Sequence, residues 1–245
     1  MILLRRPGHA WPVLMAANRD ERLDRPWDPP AAWWPDQPAV TGGRDRNAGG
    51  TWMAASRAGV VATVLNRAGS LGPAPGKRSR GELPLLALGA ASATAAAALI
   101  AGLPAGEWRP FNMVIFDREA GFFLRGLGHG RAEVMPLGEG VSMVTAHEPN
   151  DLSSPRTARH LPRFRSAPPP EPDSGNWSSW ERLLADGGSS PEEGRAAALN
   201  VPPLGGFGTV SASLLALGAT GTMLWRFAAG PPDAAPFREV MTETV

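Results

Sequence analysis

Short apolar runs separated by turn-forming residues occur along most of the chain. Alternating or continuous apolar runs of this length are typical of strands. They predict strands over residues 2–6, 13–17, 51–56, 60–66, 111–116, 122–127, 132–136, 141–146, 208–217 and 222–228. Arg57-Ala58-Gly59 has the length and composition of a hairpin turn between two of these strands.

A longer segment rich in alanine and leucine, residues 80–103, has helical propensity, and Gly102 with Pro104 supplies its stop signal. Residues 151–165 carry Ser153, Ser154 and Pro155, a capping residue and a first-turn proline that signal a helix start, and the arginines of this segment indicate a solvated face. Residues 177–185 and 191–199 complete the predicted helices.

The predicted order of elements is strands, helix, strands, helices, strands. It lacks the regular strand and helix alternation of a parallel doubly wound sheet. We therefore expect the α+β class, with two mainly antiparallel sheets covered by helices in a four-layer αββα sandwich. A length of 245 residues fits one domain spanning residues 1–245.

The segment between residues 25 and 50 is rich in proline and tryptophan and is predicted to be a loop. Trp27, Trp33 and Trp34 in this segment are candidates for the lid or walls of a pocket. A proline-stiffened loop that pins its tryptophans on the core is the favoured alternative.

The near-equal numbers of basic and acidic residues exclude a strong electrostatic field around the protein. The chain has 24 basic and 23 acidic residues, which gives a net charge of +1. Neither nucleic acid nor an anionic membrane surface is therefore an expected partner. Lys77 is the only lysine, and the abundance of arginine, alanine, glycine and proline is typical of a GC-rich genome.

Targeting signals and membrane spans are not predicted. The most apolar stretch, residues 83–103, is interrupted by Pro84, Ser92 and Thr94, so no integral membrane segment is expected. The amino terminus lacks the pattern of a secretory signal, which predicts a cytoplasmic protein. The sequence has no cysteine, which excludes disulfides and thiolate metal sites in the chain as given.

The strongest candidate for chemistry is Asn18-Arg19-Asp20-Glu21, directly after the apolar residues 13–15 and at the predicted exit of the second strand. An arginine can hold an anion while an aspartate orients an amine. Because neighbours on a strand point to opposite faces, at most one of Arg19 and Asp20 should share the side of the buried residues unless the backbone bends. A polar hairpin turn is the alternative.

Several further motifs are spread in order along the chain. They are Gly49-Gly50-Thr51-Trp52, Val64-Leu65-Asn66-Arg67, Ser79-Arg80-Gly81-Glu82, Phe111-Asn112, Thr145-Ala146-His147 running into Asn150-Asp151, and Gly208-Thr209-Val210-Ser211. With Asn18-Arg19-Asp20-Glu21, this set resembles the NRDE family, also called the transport and Golgi organisation protein 2 family.

Members of that family look like amino-terminal-nucleophile hydrolases of the kind that includes bile salt hydrolase and penicillin V acylase, which also implies the four-layer αββα sandwich. In such enzymes, removal of the initiator methionine exposes a cysteine, and the α-amino group of that cysteine serves as the base. An α-amine has a reference pKa of about 7.7–8.0, so it can take a thiol proton near neutrality.

The resemblance implies a role for seven residues of this chain. Arg19 would hold the thiolate, Asp20 would hold the amine, and Asn66 would supply an oxyanion donor. Asn18, Trp52, His147 and Asn150 are expected to bind the substrate. For His147, an acid or base lining the pocket and a surface histidine in a polar loop are both open.

The chain departs from the family pattern at its start, which reads Met1-Ile2-Leu3-Leu4 where the family usually opens with Met-Cys-Thr and one or two apolar residues. In one hypothesis the initiation site assigned to this sequence is too late, and the natural protein carries the cysteine upstream of Met1. In the other the protein is a non-catalytic relative. The first is favoured because Arg19 and Asp20 are intact.

Two further departures weaken catalysis. Many family members have an arginine after the Gly-Thr pair, where this chain has Val210. Residues 142–147 stand where other members read Gly-Leu-Ser-Asn, which removes a possible oxyanion-hole asparagine.

Other kinds of site find little support. Residues 72–77 are one residue short of a phosphate-binding loop, and their prolines remove amide donors. Residues 126–130 lack the third glycine of a dinucleotide fingerprint. The four histidines are scattered, so no metal is expected, and we predict no cofactor.

These observations favour an amide (C–N) hydrolase whose amino-terminal cysteine is missing from this chain, with a small molecule as its substrate. The rival hypothesis is a non-catalytic protein that binds or traffics a lipid, an acyl-CoA thioester or haem in the same pocket. It predicts ligand affinity without turnover.

Overall fold

The computed structural model describes residues 1–70, 74–188 and 194–241. In chain order the strands of these ranges are β1 (Ile2–Arg5), β2 (Val13–Arg22), β3 (Trp27–Ala31), β4 (Val40–Asp45), β5 (Met53–Ser56), β6 (Val61–Asn66), β7 (Phe111–Phe116), β8 (Gly121–Gly126), β9 (Glu133–Pro136), β10 (Gly140–Met143), β11 (Phe207–Leu217), β12 (Met223–Ala228) and β13 (Arg238–Glu239). The α-helices are α1 (Glu82–Ala87), α2 (Ala93–Gly102), α3 (Pro155–Ser166) and α4 (Ser178–Leu184).

The chain divides into two compact units. The first contains Met1–Arg25 and Glu139–Met241, and the second contains Pro26–Gly138. All pairings between the named strands are antiparallel, so the predicted α+β class with two antiparallel sheets is confirmed. A single domain over residues 1–245 stays a prediction.

The first unit is a six-stranded sheet in the order β10-β1-β2-β11-β12-β13, with α3 and α4 packed on one face. Alternate residues of β2 and β11, such as Leu14 and Leu214, are fully buried in a core shared with these helices. In that core the rings of Phe164 and Trp180 meet edge to face, with centroids 5.5 Å apart. The period of two along each strand decides which side chains face the helices.

The second unit is a seven-stranded meander, β3 to β9 in sequence order. Helices α1 and α2 pack on this sheet, where Leu83 and Ile100 are buried with Ala62, Met113 and Leu124. The small alanines of α2 allow a short helix to lie close to the strands.

The predicted helix over residues 80–103 is wrong in one respect, because the structure has two helices there. Ser92 adopts an extended conformation and its side chain accepts a hydrogen bond from the amide of Ala95 at 3.2 Å. A serine in this role starts a new helix instead of continuing the old one.

The segment predicted as a loop between residues 25 and 50 contains β3 and β4. Pro29 and Pro30 fit β3 because it is an edge strand, where missing amide donors are tolerated. The buried Asp28 carboxylate accepts hydrogen bonds from Nε of Arg44 at 2.8 Å and of Arg46 at 2.6 Å, which hold the strand in place.

Residues 191–199 were predicted to be helical, but 191–193 lie outside the described residues and the rest forms only a 3-10 turn, Arg195–Ala197. Part of the 72–77 segment that was weighed as a phosphate loop, residues 72 and 73, also lies outside the described residues.

Candidate functional site

The Asn18-Arg19-Asp20-Glu21 motif lies inside a strand. β2 continues to Arg22 and pairs with β11, so the prediction that the motif sits at a strand exit is wrong. The apolar run ends at Ala17, but backbone pairing with β11 extends the strand through polar residues. Sequence periodicity could not show this, because the partner strand is nearly two hundred residues away.

The pairing of β2 with β11 shifts at the motif. Arg19 lies opposite Ser211 and Asp20 lies opposite Thr209, which leaves Val210 as an extra residue in a β-bulge. Bulges bend the strand locally and redirect its side chains, and they are frequent beside active sites. Val210, the residue noted above as a departure from the family pattern, is therefore the bulged residue.

Asp20 points to the side of the sheet that carries α3. Its Oδ1 accepts a hydrogen bond from the Thr209 hydroxyl at 2.6 Å, and its Oδ2 accepts one from Nη1 of Arg156 at 2.8 Å. The Thr209 oxygen in turn accepts the amide hydrogen of Val201 at 2.8 Å. Both carboxylate oxygens are therefore held by donors from other elements.

Arg156 is a functional candidate that the sequence reasoning missed. The arginines of α3 were expected to form a solvated face, but the side chain of Arg156 is only 25% exposed and forms the ion pair with Asp20. The two residues are 136 positions apart. A basic residue in the first turn of a helix gives no signal in the sequence that would distinguish it from its exposed neighbours.

Arg19 points to the opposite face of the sheet from Asp20, as strand alternation requires. Its side chain is 9% exposed, and its Nη2 lies 3.6 Å from a carboxylate oxygen of Glu21. Arg19 and Asp20 therefore present a guanidinium on one face and a carboxylate on the other.

Asn18 ties elements of the first unit together. Its amide nitrogen donates to the carbonyl oxygens of Leu184 at 2.9 Å and Leu199 at 3.0 Å. These bonds fasten β2 to the end of α4 and to the segment that leads to β11. The predicted role of Asn18 in substrate binding stays a prediction.

The amino end of the chain lies in the same unit. The α-amino group of Met1 is buried and donates to the carbonyl oxygen of Val144 at 3.0 Å, while the Val144 amide donates to the Met1 carbonyl at 2.9 Å. Burial and, to a smaller extent, the charge of Arg156 lower the pKa of this amine to about 5, and the charge of Asp20 opposes both effects.

The loop after β10 carries two predicted site residues. Asn150 has a positive φ of 60°, and it donates its amide to the carbonyl of Met143 while its Oδ1 accepts the Met143 amide, each at 2.8 Å. His147 lies 3.7 Å from a carboxylate oxygen of Asp151 and is 37% exposed. Asn150 thus anchors the loop, and His147 lies near the surface in a polar turn.

Asn66 and Trp52 belong to the second unit. Asn66 lies at the end of β6, as predicted; it pairs with Phe111 and is exposed. The Trp52 ring meets Trp27 edge to face at 5.9 Å and covers Gly43, where an added Cβ would come within 2.2 Å of the ring. Trp34, from the segment predicted as a loop, packs against the core, in agreement with the favoured alternative.

The motifs around Gly50 and Gly81 meet backbone to backbone in the second unit. The Thr51 amide donates to the Gly81 carbonyl at 2.9 Å, and a Cβ at Gly50 would come within 2.5 Å of the Gly81 carbonyl carbon. Glycine is required here because two backbone segments of the chain approach each other closely. Nearby, Arg80 Nη1 donates to the Ser70 hydroxyl and to the Pro110 carbonyl, each at 2.9 Å.

Within residues 1–70, 74–188 and 194–241, no group of three or more histidine and carboxylate side chains is arranged to hold a metal ion. None of the helices described has the length and apolar character needed to cross a bilayer.

The fold is similar to that of the Caenorhabditis elegans N-acylethanolamine-hydrolyzing acid amidase (NAAA) ortholog. The TM-score is 0.55 at 11% sequence identity, and the match covers 87% of this chain and 91% of that one. At this identity the likeness concerns the fold, and it confirms the predicted resemblance to amino-terminal-nucleophile hydrolases at that level.

Among curated proteins, none matches the sequence significantly. The family model for Transport and Golgi organisation 2 matches residues 1–149, more than half of the 245-residue chain. The matched region contains Asn18-Arg19-Asp20-Glu21 together with the motifs at Gly50, Asn66 and Gly81. This chain therefore belongs to the Transport and Golgi organisation 2 family.

Proposed function

We propose that this protein is an amide hydrolase of the amino-terminal-nucleophile type, acting on carbon–nitrogen bonds of small acylated molecules. The family, the fold and the surroundings of the chain's amino end support this function. The neighbour's name makes N-acylethanolamines the first substrates to test.

One observation carries the proposal, namely the register between β1 and β2. Ile2 pairs with Ala16 and Leu3 pairs with Met15. Continued towards the amino end, this register sets the residue before Met1 opposite Asn18 and the one before that opposite Arg19. A cysteine two positions before Met1 would share a face with the Arg19 guanidinium, because directly opposed residues point to the same side.

The chemistry follows from these positions. The α-amine of the cysteine takes the thiol proton, and the thiolate attacks the acyl carbonyl carbon. The carbon–nitrogen bond then breaks, the leaving amine takes the proton, and water hydrolyses the thioester to release the acid. Arg19 stabilises the thiolate. The oxyanion role expected of Asn66, which belongs to the second unit, stays a prediction from the sequence.

The test is intact-mass analysis and amino-terminal sequencing of the protein from its native host. We expect a mature chain that begins with cysteine and releases ethanolamine from N-acylethanolamines. Replacement of that cysteine by alanine is the matched control, which should fold and lack turnover. A native chain that begins at Met1 or Ile2 would exclude the cysteine mechanism.

The second candidate is a binding or trafficking protein for a lipid, an acyl thioester or haem. The absence of cysteine from the sequence and Val210 at the bulge favour it. It predicts that the ligand binds with an affinity that survives Arg19→Ala, and that no variant or native form hydrolyses it.

A further inference from the structure

A cavity of about 350 Å³ lies in the first unit, at the β12 and β13 end of the six-stranded sheet. Its apolar walls are formed by Pro172, Trp177, Leu224 and Phe237. Trp177 is buried, and Leu224 and Phe237 pack against the core that the sheet shares with α3 and α4. A concave space of this size with mainly apolar walls is typical of small-molecule sites.

Strand pairing places the charged lining residues on the helix-covered side of the sheet. Arg226 of β12 lies opposite Leu214 of β11, which is buried in the core shared with the helices. Glu239 of β13 lies opposite Arg226. Because directly opposed residues point to the same side, both charged side chains face the side of α3 and α4. Arg19 points to the other side of the same sheet, so the cavity is a separate feature of the first unit.

One wall of the cavity, residues 171–176, is closed by its own backbone. The Glu171 amide donates to the Asn176 carbonyl at 2.9 Å, and the Asn176 amide donates to the Glu171 carbonyl at 3.2 Å. Gly175 lines the cavity with a positive φ of 69°, and an added Cβ there would meet no atom within 4 Å. The wall is therefore fixed before any ligand binds, which lowers the entropic cost of binding.

The charges at the cavity favour a cationic ligand. The guanidinium of Arg226 is already engaged, because its Nη1 donates to Oε1 of Glu181 at 2.6 Å. Glu239 adds a second carboxylate to the lining. One guanidinium and two carboxylates leave an excess of negative charge, and Glu171 and Asp173 of the wall segment increase it.

We propose that this cavity binds a small organic cation, in which an ammonium group is attached to a ring or another apolar body. The apolar body packs between Trp177 and Leu224, and the ammonium group lies towards Glu239. The rings of Trp177 and Phe237 add an attraction for the cation. A carboxylate ligand would meet the excess negative charge, since Arg226 is engaged by Glu181.

Two probes of similar shape and opposite charge, tryptamine and indole-3-propionate, test the proposal on the full chain. Binding is followed by proton–nitrogen NMR of the Trp177 indole, which is assigned among the nine tryptophans by its loss in Trp177→Phe. We expect a saturable shift with tryptamine, with a Kd on the order of 1 mM. Indole-3-propionate should bind about fivefold more weakly or worse. Equal affinities, a preference for the anion, or no saturable shift would overturn the proposal.

Charge variants assign the effect to named residues. Glu239→Gln keeps the shape of an exposed side chain and should weaken tryptamine about threefold. Glu119→Gln, at an exposed position of the second unit, is the matched control and should leave the Kd unchanged. An unchanged Kd in Glu239→Gln would contradict the proposal.

Arg226→Gln gives a test of opposite sign. Removal of the guanidinium leaves Glu181 without its partner, so tryptamine should bind at least as tightly as in the wild type. Weaker binding of tryptamine in folded Arg226→Gln would overturn the cation site. The titrations need no turnover, so their outcome is independent of whether the protein is a hydrolase.

Discussion

Arg19 and Asp20 are adjacent in β2, yet their side chains point to opposite faces of the sheet. Arg19 faces the side on which the β1 register would set a preceding cysteine. Asp20 faces α3, where Arg156 and Thr209 donate hydrogen bonds to its carboxylate. Substitutions at the two positions therefore test opposite faces of the same strand.

Arg19→Ala is expected to lower kcat/KM for an N-acylethanolamine by about 10²-fold or more in the cysteine-bearing protein, because a fixed cation beside developing negative charge is lost. The measurement is steady-state hydrolysis at several substrate concentrations. Arg22→Ala, which removes an exposed ion pair with Asp24 at the end of the same strand, is the matched control. Equal activity in the two variants would contradict the role of Arg19.

At the scale of elements, the start of α3 connects fold and site. Ser154→Ala removes the side-chain cap of the helix that carries Arg156. We expect the free energy of unfolding to fall by about 1 kcal/mol, measured by urea titration. Ser153→Ala, at the exposed position before the cap, should change it far less.

The contact between Gly50 and Gly81 joins two separate motifs in the second unit. Gly50→Ala would bring a Cβ to within 2.5 Å of the Gly81 carbonyl carbon, so the backbone must shift. We expect a loss of about 1–3 kcal/mol in the free energy of unfolding. Gly102→Ala, where no atom lies within 4 Å of the added carbon, should be close to neutral, and similar losses in both would exclude close approach as the cause.

At the scale of the whole molecule, His160 should make global stability depend on pH. The side chain is fully buried, its Nε2 donates to the Ala197 carbonyl at 2.9 Å, and Nδ1 accepts from Arg163 at 3.3 Å. Burial is the main reason that its pKa falls from 6.5 to about 4.

The sign of the effect follows from this lowered pKa. Between about pH 6.5 and pH 4 the unfolded chain binds a proton at this site and the folded chain does not, so stability falls as the pH falls. The neutral buried His160 contributes its full share to the free energy of unfolding above pH 6.5, and about 3 kcal/mol of this free energy is lost by pH 4. Urea midpoints across this range should decline more steeply for the wild type than for His160→Gln, and parallel curves would contradict the assignment.

The two sheets and most of their strands could be predicted from sequence because each strand carries its own apolar run between turn residues. The break at Ser92 was missed since alanine propensity continues across it. β3 was missed because its prolines look unlike a strand, although they are tolerated at an edge. Both errors concern local sequence whose structure depends on its neighbours.

The sequence by itself determined the family, the antiparallel α+β class and the candidate residues Arg19, Asp20 and Asn66, because these follow from local patterns and motif order. Only the tertiary structure decided that the central motif lies inside β2 opposite a bulge, and that Arg156 and Thr209 hold Asp20. The partners of Asp20 lie 136 and 189 positions away, and hydrogen bonds and bulges form between chain segments whose proximity no local pattern encodes.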